Sequence, residues 1–217
     1  MTPHLFTTTR TARYISLGEP SPEVQHVWFC LHGRGQSLTD FAAQLVNLDT
    51  PERLLILPEA LSRYTLPAEP TDTLVTGASW FTDDSLIPDL ADVTTYLDSL
   101  AAQVLAACPS GVPVTVLGYG HGAAVACRWL ANGNVPYSRL ILYASVFPAV
   151  LDRGTTLEKL PNRPITLIST TTNNFTPEAS GEGLLHDMQL AGLPAQLRFV
   201  SEGPLTLAAL GAASEVG

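Results

Sequence analysis

The sequence predicts an α/β fold: one domain, residues 1–217, with a mostly parallel sheet carrying helices on both faces. Three observations predict it. Short, nearly all-apolar runs recur along the chain, as strands covered on both faces require. Helical periodicity fills the gaps between them. The breakers, 17 prolines and 16 glycines, are scattered between the runs and never gather into a linker.

Taken in order, Leu5–Leu17 alternates loosely and reads as one or two edge strands. Val24–Leu31 (VQHVWFCL) is a strand ending at His32-Gly33, and Arg53–Leu57 (RLLIL) is a second, stopped by Pro58. Val114–Leu117 is a third strand and runs straight into Gly118. Leu140–Ala144, Ile165–Ser169 and Gln196–Val200 complete the set. Among the helices, Leu90, Val93, Leu97, Leu100 and Val104 step by 3, 4, 3 and 4, which puts them on one face, with Asp92, Asp98 and Gln103 elsewhere. Asp83, Asp84 and Ser85 offer capping oxygens and negative charge at the start of that helix, and Pro109 ends it. Weaker helical patterns cover Leu38–Leu48, Gly122–Ala131 and Pro177–Ala191.

Composition narrows the function classes. With 46% hydrophobic and 14% charged residues and a mean hydropathy of +0.19, the chain can build a core and is not disordered. Eleven Lys+Arg against twenty Asp+Glu leave a formal charge of −9, which repels phosphate backbones and anionic headgroups and speaks against nucleic-acid or peripheral-membrane partners. No run approaches the roughly 20 apolar residues of a membrane span, and the first residues lack the basic start and apolar run of a signal peptide. Cys30, Cys108 and Cys127 are odd in number and lack CxxC spacing. They read as reduced thiols in a cytoplasmic protein. No two histidines have metal-site spacing, so neither a metal nor another cofactor is expected.

Two motifs carry the chemistry. After the third strand comes Gly118-Tyr119-Gly120-His121-Gly122 and then the small residues Ala123-Ala124-Val125-Ala126-Cys127. A strand, a tight glycine turn and a helix that starts with small side chains describe a nucleophile elbow, whose apex holds a strained backbone with positive φ. A serine at the apex would be the nucleophile; here the apex is Gly120. Upstream, Leu31-His32-Gly33-Arg34-Gly35-Gln36-Ser37 joins a strand to a helix. A loop of this kind can aim one backbone N–H, that of Arg34, at the mouth of the elbow. The N–H of His121 would complete an oxyanion hole.

From about Val24 to about Leu207 the chain resembles the phospholipase/carboxylesterase family of α/β-hydrolases, which includes acyl-protein thioesterases. The resemblance rests on Leu31–Gln36, Leu57-Pro58-Glu59-Ala60, Ala78-Ser79-Trp80-Phe81 and the Gly-Tyr-Gly-His-Gly elbow. Tyr143-Ala144-Ser145 followed by Pro148, and the turn Asn173-Asn174-Phe175-Thr176-Pro177, extend it. It implies a single-domain α/β-hydrolase fold and hydrolysis of carboxylic esters or thioesters by a Ser–Asp–His triad. Carried over by position, the serine falls on Gly120, the aspartate on Asn173 and the histidine on Leu205 or Pro204. The spacings, 53 residues from 120 to 173 and 32 from 173 to 205, suit the family, so the alignment stands and the triad is absent.

Acyl transfer needs a nucleophile, a base and a group that orients the base. Gly120, Leu205 and Asn173 supply none of this as a set. The expected function is therefore that of a catalytically degenerate carboxylesterase homologue, a pseudoenzyme that binds a small ester, carboxylate or acyl ligand. The alternatives are an active ester or thioester hydrolase with an unorthodox site, and a scaffold or regulatory subunit. The resemblance puts Trp80 and Phe81 at the acyl pocket, against a reading of both as core aromatics. Cys30 reads as a buried structural thiol, and His32 as a residue that holds its own loop. His121 has the best placement of the five histidines for ligand contact, while His186-Asp187 reads as solvated surface and His4 and His26 offer nothing. The low charge density is compatible with a homodimer.

Overall fold

The structure, a computed structural model, describes residues 2, 4–68, 73–82, 85–149, 151–170, 181–201, 205, 206 and 208–210. Its centre is a seven-stranded sheet: β1 (Tyr14–Leu17), β2 (His26–Leu31), β3 (Arg53–Pro58), β6 (Val114–Tyr119), β7 (Arg139–Tyr143), β8 (Ile165–Thr170) and β9 (Ala195–Val200). Across the sheet these run β1-β3-β2-β6-β7-β8-β9, and only β1 is antiparallel to its neighbour. The sheet is the predicted one, and the limits of β2, β3 and β6–β9 lie within two residues of the apolar runs that announced them. The Leu5–Leu17 stretch contributes one short edge strand, β1.

Side-chain alternation sorts the strands onto two cores. Val27, Phe29, Leu54, Ile56, Val116, Leu140, Leu142 and Leu167 face one side, while Trp28, Cys30, Leu55, Leu57, Leu117, Ile141 and Ile168 face the other. The first face is covered by α2 (Leu86–Leu105), α3 (His121–Asn132), α4 (Arg153–Glu158) and α5 (Glu182–Leu190). The second is covered by α1 (Leu38–Leu45), which tightens into a 3₁₀ turn at Val46–Leu48, together with Leu205 and Leu210. All five residues of the predicted α2 face are buried, Leu97 completely. Each contributes on the order of 1.5–3 kcal/mol by leaving water.

Besides the short helix α4, which the sequence reading does not name, three details differ from that reading. Ser85 is the N-cap of α2 but makes no side-chain cap bond, and Asp83 and Asp84 lie outside the described residues. Instead Asp89 turns back to accept from the backbone N and Oγ1 of Thr82, at 2.8 and 3.1 Å. The helix ends at Leu105, before Pro109, because its last turn tightens as Ala107 N reaches Val104 O and Cys108 N reaches Leu105 O. The third difference is an additional antiparallel hairpin, β4 (Ser62–Ala68) with β5 (Thr73–Ser79), that the apolar runs do not announce.

Strand order fixes where a site can lie. The chain leaves β2 toward β3 on one side, and β6 later enters on β2's other side. Loops leaving the carboxyl ends of β2 and β6 therefore diverge across the sheet, and the crevice between them is the switch point where open α/β sheets bind ligands. Both motifs of the preceding section leave those two strand ends.

Candidate functional site

The β2–β6 register pairs Leu31 with Gly118, so His32-Gly33 and Tyr119-Gly120 stand level at the end of the sheet. Gly120 has φ 55° and ψ −119°, a conformation glycine adopts readily and an L-residue only under strain. Three hydrogen bonds hold it: its N–H donates to Tyr143 O at 2.9 Å, and its carbonyl accepts from Ala123 N and Val146 N at 3.1 and 3.0 Å. The flanking glycines are steric necessities. A Cβ at Gly118 would lie 2.5 Å from Ala123 Cα, and one at Gly122 would run into the carbonyl oxygens of Leu31 and His32. At Gly120 a Cβ would meet only Gly33 Cα, at 3.7 Å. The backbone of an elbow is thus complete, and a Cβ at its apex would stand in ordinary contact with Gly33 of the facing loop.

That loop is braced on every side. His32, completely buried, places Nδ1 2.7 Å from Gly33 O, while its Nε2 accepts from Ala60 N at 3.1 Å. Trp80 Nε1 donates to His32 O at 2.8 Å, and its indole lies over the imidazole with ring centres 4.9 Å apart. Gly33 N donates to Gln36 Oε1 at 3.0 Å, Gln36 N to Gly33 O at 3.3 Å, and Gly35 N to Ala78 O of the hairpin at 2.8 Å. The Arg34 amide is left between them without a partner among the described residues.

His121, the residue after the apex, opens α3, a helix with no acidic residue in its first turn. Its ring lies 5.8 Å from that of Phe81. Trp80 and Phe81 are only 2% and 6% exposed and belong to the core on the α2–α3 side, so Trp80 acts from behind the loop and Phe81 sits beside His121. Tyr119 stacks on Tyr143 at 5.3 Å and closes the second face, and burial raises its hydroxyl pKa.

The positions aligned with the base and its orienting partner differ. Asn173 lies outside the described residues. Leu205 is 6% exposed and packs in the α1-side core with Tyr143, Ala144, Ile168 and Leu210. Ala144, level with Gly120 across β6 and β7, is the one non-glycine residue with positive φ, 46°, among the described residues.

Other thiols, histidines and carboxylates among the described residues are engaged elsewhere. Cys30 is buried and its thiol pKa is raised by desolvation; Cys127 is likewise pushed up to about 12. His26 bonds Thr115 Oγ1 at 2.9 Å, and Asp187 pairs with Arg153 between α5 and α4. Asp98 accepts from Trp129 Nε1 and Asn134 N, tying α2 to the end of α3. Among the described residues no three His, Cys, Asp or Glu side chains gather as a metal site, and no helix is long and apolar enough to cross a membrane. A cavity of about 410 Å³ lined by Pro109, Val112, Pro136 and Tyr137 lies at the amino ends of β6 and β7, the opposite end of the sheet from the elbow.

A parallel sheet with an elbow after β6 and a braced loop after β2 is the α/β-hydrolase fold. No protein-family model and no curated protein sequence matches the chain. Solved structures do. Esterase PE8 superposes with a TM-score of 0.68 at 17% identity, over 94% of this chain and 96% of that one. Acyl-protein thioesterase 2 of Zea mays gives 0.62 at 18% identity over 94% and 96%. A phospholipase/carboxylesterase from Dyadobacter fermentans gives 0.63 at 14% over 97% and 98%. The fold that the sequence resemblance implied is the fold these proteins share.

Proposed function

We propose that this chain is a catalytically degenerate counterpart of the carboxylesterases, which keeps their elbow and loop and binds a small ester, carboxylate or acyl ligand between them. The observation that carries the proposal is the geometry of Gly120: the backbone is held in the elbow conformation, and a Cβ there would have Gly33 Cα, at 3.7 Å, as its nearest contact beyond the adjoining residues. In this reading a ligand oxygen sits against the amides of Arg34 and His121, the exposed Arg34 guanidinium favours a carboxylate, and Phe81 bounds the ligand beside His121. Trp80 shapes the site from behind, through His32 O.

Covalent catalysis does not follow from this frame. Gly120 offers no oxygen to attack a carbonyl, and Leu205 neither accepts nor returns a proton. Three free thiols fit a reducing cytoplasmic setting.

Hydrolysis of short- and medium-chain p-nitrophenyl esters tests the reading, beside a Gly120→Ser/Asn173→Asp/Leu205→His variant and a second variant with Pro204→His as the base. Expected is a wild type limited to the roughly 10³–10⁴-fold acceleration over water that a triad-less site retains, together with a thermal shift on titration with small carboxylates. Saturable turnover in the ordinary enzyme range, ~1–10³ s⁻¹, abolished by His121→Ala, would establish an unorthodox active hydrolase instead. Absence of any shift across carboxylates, esters and acyl compounds would remove the ligand role.

A further inference from the structure

We propose that His32 is a pH-sensitive latch: a proton added at Nε2 displaces the Ala60 amide and frees the Gly33–Gln36 loop from the turn that follows β3. The proposal rests on the reading above only in naming this loop as a wall of the ligand site. The latch itself is read without any ligand.

Its bonding leaves one protonation state. The Ala60 amide can only donate, so His32 Nε2 must present a lone pair to it. The ring's proton is then on Nδ1, 2.7 Å from Gly33 O, an acceptor. Both nitrogens are committed, and the ring is completely buried between the indole of Trp80 and, at 6.3 Å, the phenyl of Phe41. A second proton sets two N–H donors against each other on the Ala60 side. The Nδ1–Gly33 bond and the Trp80–His32 O bond survive the change. The break is therefore confined to one seam, between the loop and the residues that follow Pro58.

The groups around the ring set the direction. Burial between apolar rings holds the imidazole neutral and its pKa below the usual histidine range; the Gly33 bond and the charge of Glu59 oppose this to a smaller extent. Glu59, itself buried next to Ala60, is engaged by Arg13, with one contact at 2.6 Å, and by Arg63 at 3.6 Å. Arg34 and Asp40 are exposed to water, Tyr64 bonds Ser79, next to Trp80, at 3.2 Å, and the His121 ring lies beside Phe81. With the folded value below the unfolded one of about 6.5, the closed latch stabilises the protein above that pH. The contribution is lost as pH falls through the folded value.

Amide hydrogen exchange of the whole protein between pH 8 and pH 4.5 tests the latch, read as protection factors. Above about pH 6.5 protection of Ala60 is expected to be constant. Below the pKa of His32 it falls by about tenfold per pH unit, the slope one proton imposes, with Gly35 following and the α2 amides unmoved. His32→Gln keeps an acceptor near the Nε2 position and has no proton to gain, so its Ala60 protection is flat. His121→Gln keeps the wild-type profile. A flat wild-type profile, an unchanged slope in His32→Gln, or loss of the slope in His121→Gln overturns the proposal. Should His32→Gln not fold, the imidazole ¹⁵N spectrum of the wild type decides. Nε2 unprotonated at pH 8, gaining its proton at the midpoint of the amide loss, supports the latch; Nε2 protonated at pH 8 overturns it. Failure of carboxylates to bind leaves this result untouched, and a flat profile leaves the ligand reading untouched.

Discussion

The loop after β2 and the residue aligned with the catalytic base, Leu205 after β9, follow carboxyl ends of the same sheet, and they are built by opposite means. The loop is polar and cross-braced: His32, Gln36 and Trp80 hold its carbonyls and amides, and the glycines beside it admit backbone within contact distance. Leu205 sits in an apolar cluster with Tyr143, Ala144 and Leu210. On the reading proposed above, the difference teaches which parts of an α/β-hydrolase fold can stand without the reaction. An elbow and its facing loop are backbone geometry, and they stand because the fold's packing depends on them. A general base is one ionisable side chain with access to substrate, and at Leu205 the position serves the core instead.

The largest way to break the comparison is Gly122→Ala. Its Cβ would enter the carbonyl oxygens of Leu31 and His32, which are backbone and cannot step aside, so α3 must move off β2. We expect a loss of ~4 kcal/mol or more, the range in which single substitutions become exceptional, read by urea unfolding. Gly183→Ala in α5 is the control: nothing lies within 4 Å of its Cβ, and a helical alanine should stabilise by about 0.5–1 kcal/mol. Equal, small effects from the two would remove the argument that close approach preserves the elbow.

Leu205→Ala comes next. A leucine packed in the α1-side core should cost about 2–4 kcal/mol when cut back to alanine. Esterase background should not change, since the residue does no chemistry. A loss below about 0.5 kcal/mol, the usual range for exposed positions, would show a side chain free to leave the core, and the contrast between the two regions would weaken accordingly.

Much of this was legible in the sequence, for a physical reason. Strands buried on both faces must be apolar throughout, so VQHVWFCL, RLLIL and LILYA announce themselves without their partners. The hairpin β4–β5 is the counterexample. It stands apart from the main sheet, leaves Leu74 and Val75 exposed, and carries Pro67 and Gly77, so no apolar run marks it. Within the site, the elbow glycines were legible because close approach dictates them. The latch was not: His32 meets Ala60 and Trp80 at separations of 28 and 48 residues, and only the fold brings those together. Which loop amide is left open was also hidden, because it depends on Gln36 folding back onto Gly33 and on the hairpin reaching Gly35.

The smallest effects sharpen the comparison most, because they test two neighbouring positions with positive φ, one glycine and one not. Gly120→Ala meets no steric obstacle but must hold φ 55° and ψ −119°, at a cost of about 1–3 kcal/mol. Ala144→Gly removes a left-handed penalty of roughly 1–2 kcal/mol at φ 46°. Against that stand roughly 0.5–1 kcal/mol of glycine flexibility and the burial of a methyl, about 0.8 kcal/mol. The terms nearly cancel, so its stability should stay within about 1 kcal/mol of wild type by the same urea measurement. A clear gain at Ala144 would mean that strain is stored beside the elbow and held there by its packing. A clear loss would mean that its methyl matters more to the core it shares with Leu205 than the turn's geometry does.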